Sequence, residues 1–126
     1  MKILVVDDEE AKCRLYAEEL QDDGYEAVVA QTGAAAIELF RNENPDLVTL
    51  DIYLSGKDEG IELLRLMKEM RPGVPVVMLT AYDYKDSFAV WCADAYIVKS
   101  SDLSELKRAI RNLTRDRSSS APGSRL

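Results

Sequence analysis

The chain has 126 residues, with 23 acids against 16 bases, no histidine, two cysteines and a formal net charge of −7. That length suits one domain with a real core, and the longest apolar run near the start, Ile3–Val6, is far short of the ~20 residues of a membrane span. The composition excludes a histidine-ligated metal centre, imidazole triads and a secreted disulfide scaffold, and the acidic balance opposes a nucleic-acid surface.

The charge is uneven. Arg115, Arg117 and Arg125 against Asp116 give residues 115–126 a net +2, which leaves −9 for residues 1–114. No signal-peptide pattern opens the chain, because Lys2 is followed by four apolar residues and then by acids. Cys13 and Cys92 form no CxxC pair, fit a reducing cytoplasm, and read as small buried apolar side chains.

In chain order, short apolar runs alternate with helical patterns. Ile3–Val6 is the first strand, followed by a helix over Ala11–Leu20 in which Leu15 and Leu20 stand among charged neighbours. Tyr25–Ala30 is the second strand, and Thr32-Gly33 starts a helix over Ala34–Phe40. The third strand, Leu47–Leu50, precedes a helix over Ile61–Met70 with Ile61, Leu64 and Met67 at helical spacing. Val74–Leu79 and Tyr96–Val98 complete the strands. A last helix over Leu103–Leu113 carries Leu106, Ile110 and Leu113 on one stripe, and Asp102 with Glu105 reads as its capping box. Several runs are apolar at nearly every position, as in strands buried on both faces.

Five strand–helix units in strict alternation predict a doubly wound α/β domain: a five-stranded parallel sheet with five helices on its two faces. The polar, Ser-, Gly- and Pro-containing stretch 115–126 reads as a flexible tail or truncated linker outside a domain spanning residues 1–114.

The polar residues that directly follow the apolar runs carry the functional signal. The first strand ends in Asp7-Asp8, the third in Asp51, the fourth in Thr80 and the fifth in Lys99. In an open parallel sheet, sites form beyond the carboxyl ends of the strands, where strand order reverses. Each residue has a plain structural role available: Asp8 as a helix cap, Asp51 in a turn, Lys99 in an ion pair. Together they place three carboxylates, a hydroxyl and an ammonium on one edge. Close carboxylates either bind protons or recruit a cation, and an all-oxygen set selects Mg²⁺, Ca²⁺ or Mn²⁺. Cation, lysine and hydroxyl form a clamp for a phosphoryl group, which a carboxylate can accept as a nucleophile.

ILVVDDE at 3–9, LVTLDIYLSG at 47–56, VVMLTAY at 76–82 and ADAYIVKS at 93–100 resemble, in order and spacing, the receiver domains of two-component response regulators. The resemblance covers about residues 1–114 and implies the flavodoxin-like, CheY-like strand order 2-1-3-4-5. It implies that Asp51 accepts a phosphoryl group from a histidine kinase or histidine phosphotransfer protein. Asp8 would ligate Mg²⁺ (or Mn²⁺) directly and Asp7 through water, with Asp51 and the backbone carbonyl of Tyr53 completing the set. Lys99 and Thr80 would bind phosphoryl oxygens, helped by the N–H of Ala81, and Tyr96 would swing inward as Thr80 moves. Such a domain catalyses only its own phosphorylation and dephosphorylation. Its downstream partner would be an effector protein or domain, or a second copy of the chain in a phosphorylation-dependent homodimer.

The chain departs from the family pattern in places. Ser100 follows Lys99 where the family has a proline held in cis; a non-proline cis bond costs ~3 kcal/mol, so the bond is trans or the strain is tolerated. The loop Ser55-Gly56-Lys57-Asp58-Glu59-Gly60 lacks the usual proline at Ser55 and is longer. The interval from Thr80 to Lys99 is 19 residues, shorter than usual, so a short or irregular fourth helix is expected, with Cys92 in place of a glycine after it. The resemblance also implies that Tyr53 and Tyr82 border the phosphoryl position, where bulky rings would hinder the attacking water and prolong the phosphorylated state.

Three other readings share parts of the pattern. Haloacid-dehalogenase-like phosphatases need a second Asp two residues after the nucleophile, where this chain has Tyr53 after Asp51 or Glu9 after Asp7. A receiver-like interaction module working without phosphorylation would not need the full set Asp7, Asp8, Asp51, Thr80 and Lys99. A flavin-binding protein would meet a first strand–helix loop whose acids repel the flavin phosphate.

Overall fold

Strand and helix alternate as β1 (Lys2–Val6), α1 (Glu10–Asp22), β2 (Glu26–Ala30), α2 (Gly33–Glu43), β3 (Leu47–Asp51), α3 (Glu59–Met70), β4 (Val76–Thr80), β5 (Ala95–Val98) and α4 (Ser104–Ser119). These elements are those of a computed structural model that describes residues 1–52, 54, 59–80, 93–98 and 102–119. The strands form one parallel sheet in the order β2-β1-β3-β4-β5. This is the expected doubly wound architecture, with four helices among the described residues. The short or irregular helix expected between β4 and β5 falls on residues 81–92, outside them.

Period-two alternation splits the core into two layers. Leu4, Val6, Val48, Leu50, Val76 and Met78 face one side, where they meet Ala36 and Phe40 of α2 and Leu63, Leu64 and Met67 of α3. Ile3, Val5, Leu47, Val77, Leu79 and Ile97 face the other, against Tyr16 and Leu20 of α1 and Leu106 and Ile110 of α4. β3 and β4 are buried along their whole length, and β1 from Ile3 onward, which is why these runs are apolar throughout. The edge strands are more open, with Val29 and Val98 exposed.

Local chemistry sets the element ends. Thr32 caps α2 by accepting a hydrogen bond from the Ala35 N–H at 3.1 Å. Past α1, Gly24 takes a φ of +94° and its N–H donates to the Gln21 carbonyl, closing the helix. β4 begins at Val76, later than expected, since Pro75 has no N–H for the ladder. On α1 the inward residues are Cys13, Tyr16 and Leu20, while Leu15 is exposed; the stripe follows the three- and four-residue spacing, not the leucines.

Asp102 acts differently from the expected capping box. Its Oδ1 accepts from both the N–H and the hydroxyl of Ser104, the first residue of α4, two positions on. The Ser104 hydroxyl, then its N–H, hold the Asp102 carboxyl below the ordinary carboxylate range. α4 continues to Ser119, past the boundary expected after Thr114. Lys107 ties α4 to α1 through Glu19 at 2.8 Å and Asp23 at 3.8 Å.

The Thr49 hydroxyl is buried with no hydrogen-bond partner among the described residues, so Thr49→Val removes an unsatisfied donor and is expected to stabilise the domain by about 1 kcal/mol in urea denaturation. At Gly60 a Cβ would lie 2.0 Å from the Asp51 carbonyl oxygen and 2.7 Å from Ile52 Cα. Gly60→Ala must therefore push α3 off the end of β3, and a loss of about 2–3 kcal/mol is expected in the same experiment.

Candidate functional site

The site is built by register. Val6 pairs with Leu50, so Asp7 and Asp51 follow at the carboxyl ends of two adjacent parallel strands. β1 lies between β2 and β3, and the chain leaves it in one direction for β2 and later crosses to β3 on the other side. The ends of β1 and β3 therefore flank the point where strand order reverses, the place such sheets leave open for a ligand.

The parallel ladder holds Asp7 beyond the end of β1, its N–H donating to the Ala30 carbonyl at 3.1 Å. Asp7 is 1% exposed, and its Oδ1 accepts the Glu9 N–H at 3.0 Å. Asp51, the last residue of β3, is 5% exposed, and the next residue, Ile52, donates its N–H to the Leu79 carbonyl at 3.0 Å. Asp8 is exposed. One carboxylate oxygen from each of Asp7, Asp8 and Asp51 lies within 4.8 Å of the other two.

Thr80 closes β4 and is fully buried. Since Asp51 pairs with Leu79, Thr80 lies one position further along the same edge. Thr80 in turn pairs with Val98, the last residue of β5, which directly precedes Lys99 in the chain. Lys99 itself, Ser100, Tyr53, Tyr82, Ala81, Cys92 and the loop 55–58 lie outside the described residues. Tyr96 is described as a backbone position, paired with Met78.

Two acids this buried and this close repel each other and call for positive charge beside them. The donor set is all oxygen, with no imidazole or thiolate among it. Ligands held at 2.0–2.1 Å around one octahedral Mg²⁺ stand roughly 3–4 Å apart, a spread that small rotations of three carboxylates starting within 4.8 Å can reach. The residues present therefore fit a hard divalent cation. The exposed Asp8 leaves the cluster open to solvent on one side.

Two residues contribute more to the site than their sequence positions suggest. Cys13, read as packing, donates its Sγ–H to the Asp7 carbonyl at 3.1 Å. Gly60, read as a loop landmark, donates its N–H to the Ile52 carbonyl at 3.0 Å and lets α3 close against the backbone of Asp51. The inward spacing of Cys13, Tyr16 and Leu20 was a visible signal for the first. Only the three-dimensional approach of α3 to β3 reveals the second.

Residues 3–111 match the family described as the response regulator receiver domain. The chain is 34% identical over 113 residues to sporulation initiation phosphotransferase F of Bacillus subtilis, covering 87% of this chain and 90% of that protein. It is 33% identical over 128 residues to the alkaline phosphatase synthesis transcriptional regulatory protein PhoP of the same organism, covering 99% of this chain but 53% of PhoP. It thus spans about half the length of that regulator. Among solved structures, the response regulator TrrA of Thermotoga maritima in complex with Mg²⁺-BeF superposes with a TM-score of 0.84 at 40% identity, covering 89% of this chain and 97% of that one. TrrA in complex with the histidine kinase ThkA gives a TM-score of 0.82 at the same identity and coverage. No helix among the described residues is long and apolar enough to cross a membrane. With the strand order, the acidic cluster at the switch point and a match over nearly the whole chain in agreement, the chain belongs to the response regulator receiver domain family.

Proposed function

We propose that Asp51 is the phosphoacceptor of a Mg²⁺-dependent signalling switch. The observation that carries this is the convergence of Asp7, Asp8 and Asp51 at the switch point of the sheet. A carboxylate oxygen of Asp51 attacks the phosphorus of a phosphohistidine on a histidine kinase or phosphotransfer protein. The new O–P bond forms as the P–N bond breaks, and the electron pair leaves on the imidazole nitrogen. Water later attacks the phosphorus, the O–P bond breaks, and inorganic phosphate leaves as the Asp51 carboxylate is restored. The domain thus catalyses its own phosphorylation and dephosphorylation, and inorganic phosphate is the only product it releases to solution.

Asp8, Asp51 and the Tyr53 carbonyl would hold the cation directly and Asp7 through water. When bound, Mg²⁺ supplies positive charge against the phosphoryl oxygens. Lys99 adds a second charge, and the Thr80 hydroxyl donates to a third oxygen. Burial of Thr80 favours a switching role, because a hydroxyl drawn toward a new anion from inside a packed layer displaces its neighbours. Tyr96, on the edge strand beside it, is the partner we assign to that movement. Tyr53 and Tyr82 shield the acyl phosphate from water.

The domain so defined covers residues 1–114, with α4 running on to Ser119 beyond that boundary; it acts in the cytoplasm and signals to an effector protein or domain. The kinase complex of TrrA supports the upstream partner.

Incubation with Mg²⁺ and acetyl phosphate, followed by intact mass, tests the chemistry. A single phosphoryl adduct is expected, absent in Asp51→Asn and after chelation. No adduct from either acetyl phosphate or a phosphorylated kinase would leave the interaction-module reading in its place. Following the adduct's decay then tests the shield: Tyr53→Asn and Tyr82→Ala are each expected to shorten its lifetime several-fold, and unchanged decay in both would dismiss the idea.

A further inference from the structure

Cys13 stands one helical turn into α1, 2% exposed, directly beneath the acidic loop. Three hydrogen bonds form a closed ring there. The Cys13 Sγ–H donates to the Asp7 carbonyl at 3.1 Å. The Cys13 N–H donates to the Glu9 carbonyl at 3.0 Å, and the Glu9 N–H donates to Asp7 Oδ1 at 3.0 Å. The Cys13 sulfur also lies 4.0 Å from the Ala30 carbonyl, which accepts the Asp7 N–H at 3.1 Å. Asp7 is therefore fixed at its N–H, its carbonyl and its carboxylate at once. Asp8, the residue between the two ring members Asp7 and Glu9, inherits its direction from them.

We propose that Cys13 is a positioning residue for the acidic site: its thiol, by holding the Asp7 carbonyl, fixes the turn that presents Asp7 and Asp8 beside Asp51. Packing alone does not require a sulfur here, since an alanine or valine also fills an inward helical position. Neither of those side chains carries a donor. A thiol is a weak donor in water, but this one is buried, where a hydrogen bond is worth more and a lost partner costs more. The effect on the cation passes through the backbone, so Cys13 touches neither cation nor phosphoryl group.

The proposal rests on the reading of Asp7, Asp8 and Asp51 as a divalent-cation site, and the test separates the two. Mg²⁺ is titrated calorimetrically into the full chain and into Cys13→Ser, Cys13→Ala and Cys13→Val, with thermal melting of the same samples. Serine keeps a donor at nearly the same volume, alanine removes it, and valine replaces it with apolar bulk. Supporting contacts behind metal ligands typically govern 10–100-fold in affinity, and for a single weak donor acting through a carbonyl we expect about fivefold weaker Mg²⁺ binding in Ala and Val, with Ser within about twofold of the parent. Equal losses in Ser and Ala, or unchanged affinity in Ala and Val, overturn the positioning role while leaving the cation site standing. If Cys13→Val does not fold, the Ser–Ala pair decides. A parent chain that binds no Mg²⁺ overturns the cation site, and this proposal with it.

Discussion

Two carboxylates buried at the ends of adjacent parallel strands repel each other, and much of the structure serves to keep them in place. Asp7 and Asp51 sit where they do because Val6 pairs with Leu50 and the ladder does not slip. A shift of one residue would turn every β3 side chain to the opposite layer of the core. The apolar layers under the acids resist that slip. Leu4, Val6, Val48 and Leu50 pack against α2 and α3, while Ile3, Val5 and Leu47 pack against α1 and α4. The burial of these layers, not any attraction between the acids, holds like charges together.

The helices then refine what the sheet has placed. α3 closes on β3 without a side chain at Gly60, which lets it approach the Asp51 backbone. α1 reaches the other acid from its first turn through Cys13 and the Glu9 N–H. At the far end of the sheet, the Asp94 carboxylate accepts from Lys68 at 2.7 Å and from the Val76 N–H at 2.8 Å, joining α3, β4 and the entry to β5. The contacts from α3 and α1 brace the backbone beside Asp51 and Asp7, and the Asp94 contacts brace the opposite end of the sheet. Buried Thr80 ends β4 on the acidic edge and pairs in register with Val98 of β5.

Much of this was readable from the residues alone. Central strands are apolar throughout because both faces are covered, so Ile3–Val6, Leu47–Leu50 and Val74–Leu79 announced a buried parallel sheet. Acids placed directly after such runs must lie at strand ends, which located Asp7, Asp8 and Asp51 on one edge. Thr32-Gly33 marked a helix start in the sequence, and the structure adds the hydrogen bond by which Thr32 caps it. Side-chain direction was less legible. Leu15 was grouped with Leu20 on α1, yet the helix turns it to solvent and buries Cys13 and Tyr16 instead. Asp102 met the capping-box pattern, yet it bonds to Ser104, because the helix begins one position later than the pattern assumes.

The sequence determined what is set by local pattern: strand and helix order, the two-sided burial of the sheet, the all-oxygen chemistry of the site and the acidic charge around it. Those follow from properties that each residue carries wherever the chain goes. Tertiary structure alone decided what depends on two distant segments meeting. The Thr49 hydroxyl with no partner among the described residues, the demand for glycine at position 60 and the grip of Cys13 on Asp7 are of that kind. Each is a matter of a few tenths of an ångström between backbones or polar atoms, and hydrophobic periodicity, which sorts side chains only by face, carries no information at that scale.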